Sequence, residues 1–547
     1  MSDEKTFHSK LNRRRVLQGL GGVGLAGIAG CSGQGGSGDQ TGNTTGDGGS
    51  STKLKIGQTK SPIEFDPIVL NDVPSTEVVD RVVEGLYTYD ESTGIVPVLA
   101  TGEPEVSQEG TRYVVEIEED ATFSNGDAVT AEDVKYSFEA PVKEETQNAS
   151  ELNMVDTIEA VDEKTVQFDL KYAFAPFPTT LTWYVIPKSV REEDKDAFNT
   201  GDALIGSGPF TFEGWQEGDY ARIKADPEYW GEPKPKVDEV EYVPVEEATT
   251  RVTTLKNGEN DVVKEIPPKQ YSTVRNIEDA SIEEVPGIGY FYAAFNCKEG
   301  PTTDPLVREG VDYAFNMDQA VSNYVEPTGV RQYSPYPKTI AEDWGFPVDE
   351  WKQIPHDKNV DKTKELFDEA GVPDDYSFRI IVPPDDKRQQ IGTSISNGLK
   401  EAGWDASVQR LDWGAFLDQY ISGSEDDYNI YTLGWSGTPD PDAFSYYMFG
   451  ADDSTLGVTD GTFYHDSSDK AATATEKFLQ ARESNDQEER KQLYVEGTTT
   501  VLEDRAHLPA YNLKNSFGVK DYVDDFASHP VLSFTLCTGH NNVSVNK

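Results

Sequence analysis

Few residues of this sequence are spaced to do chemistry. None of its six histidines, His8, His356, His465, His507, His529 and His540, are placed as metal ligands on one helix. No H-E-x-x-H, Walker loop, G-x-S-x-G, paired C-x-x-C or EF-hand loop occurs. Asp and Glu number 98, so a carboxylate pair for glycoside hydrolysis could always be chosen, and that abundance empties any one choice of meaning. Gly22-Val23-Gly24-Leu25-Ala26-Gly27 fits the dinucleotide pattern G-x-G-x-x-G, but no strand precedes it. Neither a catalytic residue, nor a metal site, nor a cofactor is expected.

One side chain does have a reaction written around it. Cys31 follows Ile28-Ala29-Gly30, and this box resembles the lipoprotein signal in which the thiol is acylated and becomes the new N-terminus. Ahead of it, Arg13 and Arg14 precede Val16-Leu17 and an apolar run to Gly30 in which six of 15 residues are Gly. That run is too short to span a bilayer comfortably and only weakly apolar, as in a twin-arginine export signal. Residues 1–31 are read as signal and lipobox. Residues 32–52, with eight Gly and eight Ser or Thr among the 21, form a flexible linker with an end-to-end distance of about 25 Å. The working part is expected outside the cytoplasm, on a lipid anchor. Sequons at Asn43, Asn148 and Asn542 permit glycosylation there. Three cysteines are too few for a disulfide framework, although Cys297 and Cys537 could pair in an oxidising exterior.

The elements that must position any site come from 547 residues carrying a net charge of −50. Such a surface repels nucleic acid, which needs a basic patch. It would also strain a compact fold unless molar salt cut the Debye length to about 3 Å, so adaptation to high salt is expected. In the first half, Tyr113, Val115 and Ile117 alternate with Arg112, Val114, Glu116 and Glu118, and Val166, Phe168 and Leu170 do the same in residues 165–171. Both patterns predict half-buried strands. Thr130-Ala131-Glu132-Asp133 predicts a capping box opening a helix through Phe138. Later, helices over 361–370, about 391–403 and 413–421 alternate with strands over 377–382, 406–411 and 428–433. That alternation predicts an open α/β sheet with helices on its faces.

The string Phe123-Ser124-Asn125-Gly126-Asp127-Ala128-Val129-Thr130-Ala131-Glu132-Asp133-Val134-Lys135-Tyr136-Ser137-Phe138 resembles the signature of the extracellular solute-binding proteins of the dipeptide/oligopeptide family (family 5), which serve ABC importers. Further matches follow in that family's order: Ile205-Gly206-Ser207-Gly208-Pro209-Phe210, then Tyr229-Trp230 with Pro233-Lys234-Pro235, then Phe295-Asn296. After them come Arg308 with Tyr313-Ala314-Phe315-Asn316 and Asp318, and Gly434-Trp435 with Pro439-Asp440-Pro441. The resemblance covers nearly the whole chain from Lys53. It implies an α/β fold, a two-lobed periplasmic-binding-protein-like clamp of type II, of the large class with an extra subdomain in lobe I. Residues 53–289 and 513–547 would form lobe I, with the subdomain at 95–204, and residues 290–512 lobe II.

The resemblance also implies a function: capture of peptides between the lobes and delivery to an ABC permease and its ATPase by a monomeric, non-catalytic receptor. In peptide-binding members, the segment matching Trp435 to Pro441 lies at the cleft and sets a carboxylate against the peptide's amino terminus. This sequence has Thr438 where the fuller pattern has Asp, and Asp440 is the acid left nearby. Thr59 after the first strand, Tyr292 on the strand entering lobe II and Arg331, whose planar fork suits a carboxylate, are the further candidates. Another cargo, an oligosaccharide or a metal chelate, and a cell-surface hydrolase are the competing readings.

Overall fold

The computed structural model describes residues 52–201, 203–450 and 461–547. Arg13, Arg14, Cys31 and almost all of the linker lie outside them. Thr130 caps a helix as its sequence predicts: its hydroxyl accepts from the Asp133 backbone N–H, and the Asp133 carboxylate accepts from the Thr130 N–H at 3.0 Å. The helix does not stop at Phe138. It runs Ala131–Lys143 with Pro141 inside. Pro141 has no N–H for the Ser137 carbonyl, and the Trp183 indole N–H takes that acceptor instead at 3.1 Å. The two alternating segments are neighbours in a four-stranded antiparallel sheet, with Tyr113 opposite Phe168 and Val115 opposite Val166. Their inward residues meet Leu86, Phe123, Phe138 and Phe177 in a core of their own.

The second half follows the predicted alternation. Helix Val360–Ala370 ends at Gly371 and helix Asp386–Ala402 at Gly403, whose φ of 109° suits a residue without Cβ. Strands Ser377–Val382 and Asp405–Arg410 run parallel, and Ile430–Ser436 joins the first of them in parallel. Gly289–Phe295 then pairs antiparallel with Ile430–Ser436 on one side and with the start of His507–Lys520 on the other. A large core around Phe295, Phe378, Phe416, Tyr431 and Phe478 sits here, in what we term lobe II. A third core gathers Leu54, Ile56, Val82, Ile223 and Tyr242 with Phe517, Phe534 and Val543 from the far end of the chain, and marks lobe I.

Both lobes share one strand. His507–Lys520 is 14 residues long. Its first part pairs with Gly289–Phe295 and Gly329–Arg331 in lobe II, and its second with Ala280–Pro286 and Val262–Lys264 on the lobe I side. The chain therefore passes between lobes twice, at Pro286 to Gly289 and in the middle of this strand. Among the described residues, no helix is long and apolar enough to cross a membrane.

Contacts also join the lobes across the cleft. Ser92 donates to Asp343 at 2.9 Å, Thr93 donates to the same oxygen, and the Ala175 N–H donates to the Arg482 carbonyl at 2.9 Å. The Arg482 guanidinium lies 4.9 Å from the Phe174 ring of one side and 4.0 Å from the Tyr446 ring of the other. Nearby, burial pushes the Asp442 carboxyl up to about 7 against the pull of Arg482.

Candidate functional site

A cavity of about 760 Å³ opens between these bodies. One wall is the helix Val73–Val79 and the turn after it. Asp72 caps that helix by accepting from the Ser75 N–H at 3.0 Å, and Pro74 sits in its first turn, where a missing N–H does no harm. This places Glu77, Asp80, Arg81 and Glu84 along the cavity.

A second wall, lined by Pro209 and residues 229–233, is laid against the first through the segment Ile205 to Phe210. A Cβ on Gly206 would stand 1.9 Å from the Val82 carbonyl oxygen, so only glycine allows this approach, and the Gly208 N–H donates to that same oxygen at 2.9 Å. The approach brings the Ser207 hydroxyl onto Glu84, 2.9 Å from Oε2. From the turn after strand Tyr220–Ala225, the Tyr229 hydroxyl donates to Glu84 Oε1 at 2.7 Å, while the Trp230 indole N–H donates to the Ser207 carbonyl at 3.0 Å. Three chain segments thus converge on one carboxylate. Its enclosure, opposed only by these neutral donors, pushes Glu84 up to about 7. Asp80, half-buried beside it, accepts from the Tyr184 hydroxyl at 2.6 Å and is also raised by burial, against the pull of Arg81.

The third wall comes from the C-terminal stretch 531–540. Arg81 holds it, donating from Nη2 to the Phe534 carbonyl at 2.6 Å and lying 4.8 Å above that residue's ring. Trp183 and Tyr87 add aromatic surface. Lobe II contributes Thr438, just beyond strand Ile430–Ser436. A pocket of this size with aromatic walls and a few convergent polar groups suits a small organic guest. Among the described residues, no group of His, Cys, Asp and Glu is arranged to hold a metal ion.

The residues that the sequence singles out are placed away from this cavity. Asp440 is 6% exposed and both its oxygens accept from Arg490 Nη2, at 2.7 and 2.9 Å. Arg490 also donates to the Ala481 carbonyl and the Tyr494 hydroxyl, so the pair is built into lobe II. Trp435 is half-buried, its indole N–H donating to the Ala443 carbonyl at 2.7 Å. Tyr292 is 2% exposed and stacks on His507 at 4.1 Å and Tyr290 at 4.8 Å within the lobe II core. Arg331 donates to Asp318 at 2.6 Å and to the Pro509 carbonyl at 2.6 Å. Thr59 is half-buried after strand Lys53–Gln58. None of these five lines the cavity. The paired-cysteine expectation is corrected: Cys297 and Cys537 are not bonded to each other, Cys297 being buried in the lobe II core while Cys537 lies at the cavity and donates to the Pro233 carbonyl at 3.1 Å. The two belong to different lobes.

What sequence reasoning missed is the Glu84 cluster. Ser207 and the Tyr229-Trp230 pair belong to strings that carry the resemblance, and a reading of those strings as site residues would have found the second of the three walls.

The model of the family described as bacterial extracellular solute-binding proteins, family 5 Middle, matches residues 94–455. The oligopeptide-binding protein AppA of Bacillus subtilis is 24% identical over 501 residues, 87% of this chain and 89% of AppA. The glutathione-binding protein GsiB of Pectobacterium atrosepticum is 25% identical over 404 residues, 66% of this chain and 75% of GsiB. Among solved structures, the periplasmic binding protein DppA of Helicobacter pylori in complex with the peptide STSA is similar in fold. Its TM-score is 0.70 at 21% identity, covering 91% of this chain and 98% of that one.

Proposed function

The chain belongs to the family 5 bacterial extracellular solute-binding proteins, and we propose from that premise that its cavity captures peptides for an ABC importer. The observation that carries the reading is the 760 Å³ cavity walled by lobe I and met by Thr438 of lobe II. The relatives support it: AppA is an oligopeptide-binding and GsiB a glutathione-binding protein. The hinge lies at the two interlobe passages, with residues 53–289 and 513–547 forming lobe I, residues 95–204 its subdomain, and residues 290–512 lobe II. A ligand drives closure only through contacts that differ between open and closed states. The receptor works as a monomer tethered by lipidated Cys31 after twin-arginine export, in high salt. Its loaded form docks on the permease, whose ATPase powers uptake.

Mass spectrometry of ligand co-purified with the protein from its native membrane, followed by calorimetric titration with peptides and with oligosaccharides, tests this. Intact peptides recovered and rebound are the expected result. Sugars alone bound, or a guest chemically changed by the protein, would overturn it.

A further inference from the structure

The cavity has a charge that its own residues leave unmet. Among the described residues six carboxylates line it, those of Glu77, Asp80, Glu84, Glu118, Glu151 and Glu232, against one arginine and one histidine. Lys264, from outside the wall, pairs with Glu77. Arg81 donates to the Phe534 carbonyl and lies over its ring, and its charge offsets part of one acid, Asp80, while His540 is taken by Glu91 at 2.7 Å. Among the described residues, no basic side chain forms an ion pair with the other five acids. The protein's general acidity does not account for this arrangement. On the open surface a carboxylate is hydrated and screened, whereas in an enclosed space its field is stronger and its hydration lost.

Glu84 makes the point in atoms. Tyr229 and Ser207 orient its two oxygens from one side of the cavity. Hydroxyls fix a carboxylate in place without cancelling its charge, and the enclosure that raises Glu84 toward neutrality is the penalty a cationic partner would remove. Tyr89, Trp183, Tyr184 and Trp230 share the cavity lining with Glu84, and aromatic rings attract ammonium and guanidinium groups. Oriented carboxylates amid aromatic faces are the recognition chemistry of a cation, and charge-assisted hydrogen bonds are about twice as strong as neutral ones.

Resting on the cargo-site reading above, we infer that the cavity selects cationic guests: peptides with a basic side chain in addition to the amino terminus, their positive groups set against Glu84 and Asp80. An acidic guest would instead add charge to a wall already short of counterions.

Calorimetric titration in molar KCl with Lys-Ala-Lys, Ala-Ala-Ala and Glu-Ala-Glu tests the inference on the full chain and on Glu84→Gln, with circular dichroism confirming that both are folded. Lys-Ala-Lys should bind at least about tenfold more tightly than Ala-Ala-Ala, Glu-Ala-Glu should bind weakest, and Glu84→Gln should shrink the first ratio at least about fivefold. Equal binding of all three, or a preference for Glu-Ala-Glu, would refute cation selection and leave the peptide receptor standing. If no peptide binds, the peptide reading fails, and the charge rule is decided by a glucosamine disaccharide against its N-acetylated form. A preference for the free amine upholds it; no preference, or no binding by either sugar, ends it.

Discussion

Replacing Asp440 with Asn separates two roles for this residue. The carboxylate is 8% exposed and Arg490 9%, with one nitrogen of the guanidinium 2.7 and 2.9 Å from the two oxygens. Asn keeps the shape and one acceptor but removes the charge, stranding a buried cation. Breaking such a pair costs about 3–5 kcal/mol. Asp442 lies close enough to respond. Its carboxyl is pushed up to about 7 in part by Asp440, so losing Asp440 lowers it and supplies a replacement negative charge. The cost should then fall at the low end, about 3 kcal/mol. For a lobe of roughly 220 residues with an unfolding entropy of about 2.1 cal/mol/K each, the melting temperature of lobe II drops by roughly 6 °C. Differential scanning calorimetry in molar KCl reads that drop, and titration with peptide reads binding in parallel. Stability should fall while affinity, measured well below the melt, stays within about twofold. A variant that melts within about 2 °C of the parent and yet loses peptide affinity tenfold would refute the reasoning, because Asp440 would then be gripping the guest.

Other outcomes follow from the same geometry. Glu84 keeps its proton in the fold up to about pH 7 but releases it near 4.5 when unfolded, so its share of stability is complete below about 4.5 and disappears as pH rises to about 7. Tyr229, Ser207, Trp230 and the Cys537 thiol face this group. Guanidinium midpoints of the unloaded protein across that window should therefore fall more steeply with pH than those of Glu84→Gln, and identical slopes would disprove the assignment. Peptide mapping without reductant should recover Cys297 and Cys537 in separate peptides, and a peptide pair linked through both would show a bond the fold does not make. Circular dichroism should report loss of structure on dilution from molar to millimolar KCl, since a net charge of −50 is then unscreened, and an unchanged spectrum would count against salt adaptation. Cys31→Ser should release the protein from the membrane, and its retention there would argue against lipidation.

The sequence was legible where a pattern is local. Thr130 and Asp133 cap each other across three residues, Tyr113, Val115 and Ile117 turn one face inward, and Gly371 and Gly403 end their helices. It was silent where a partner is remote. Asp440 meets Arg490 fifty residues later, and nothing near Pro439-Asp440-Pro441 announces that arginine. Tyr292 was not to be placed for another reason: alternation says that Tyr292 and Phe291 face opposite ways but not which face is covered, and in the central strand Gly289–Phe295 Tyr292 is buried while Phe291 is half-buried. Helix Ala131–Lys143 outran its prediction because the group that satisfies Ser137 comes from Trp183. Glu84 is one of 98 acids, and only the convergence of loops near 207, 229 and 535 sets it apart.

The lopsided lining of the cavity, where among the described residues Thr438 alone comes from lobe II, bears on how delivery is regulated. A guest seated on lobe I already has nearly every partner it will gain, so shutting the jaws adds little to its grip. A ligand shifts a two-state balance only by its difference in affinity for the two states. The bonds that fasten the jaws, Ser92 to Asp343 and Ala175 to Arg482, join protein to protein and need no guest atom between them. An empty receptor can therefore shut as well, and a permease that judged by outline alone would spend ATP on vacant deliveries. Telling full from empty must then rest on dwell time, the loaded form staying shut long enough to dock and the vacant one springing open first.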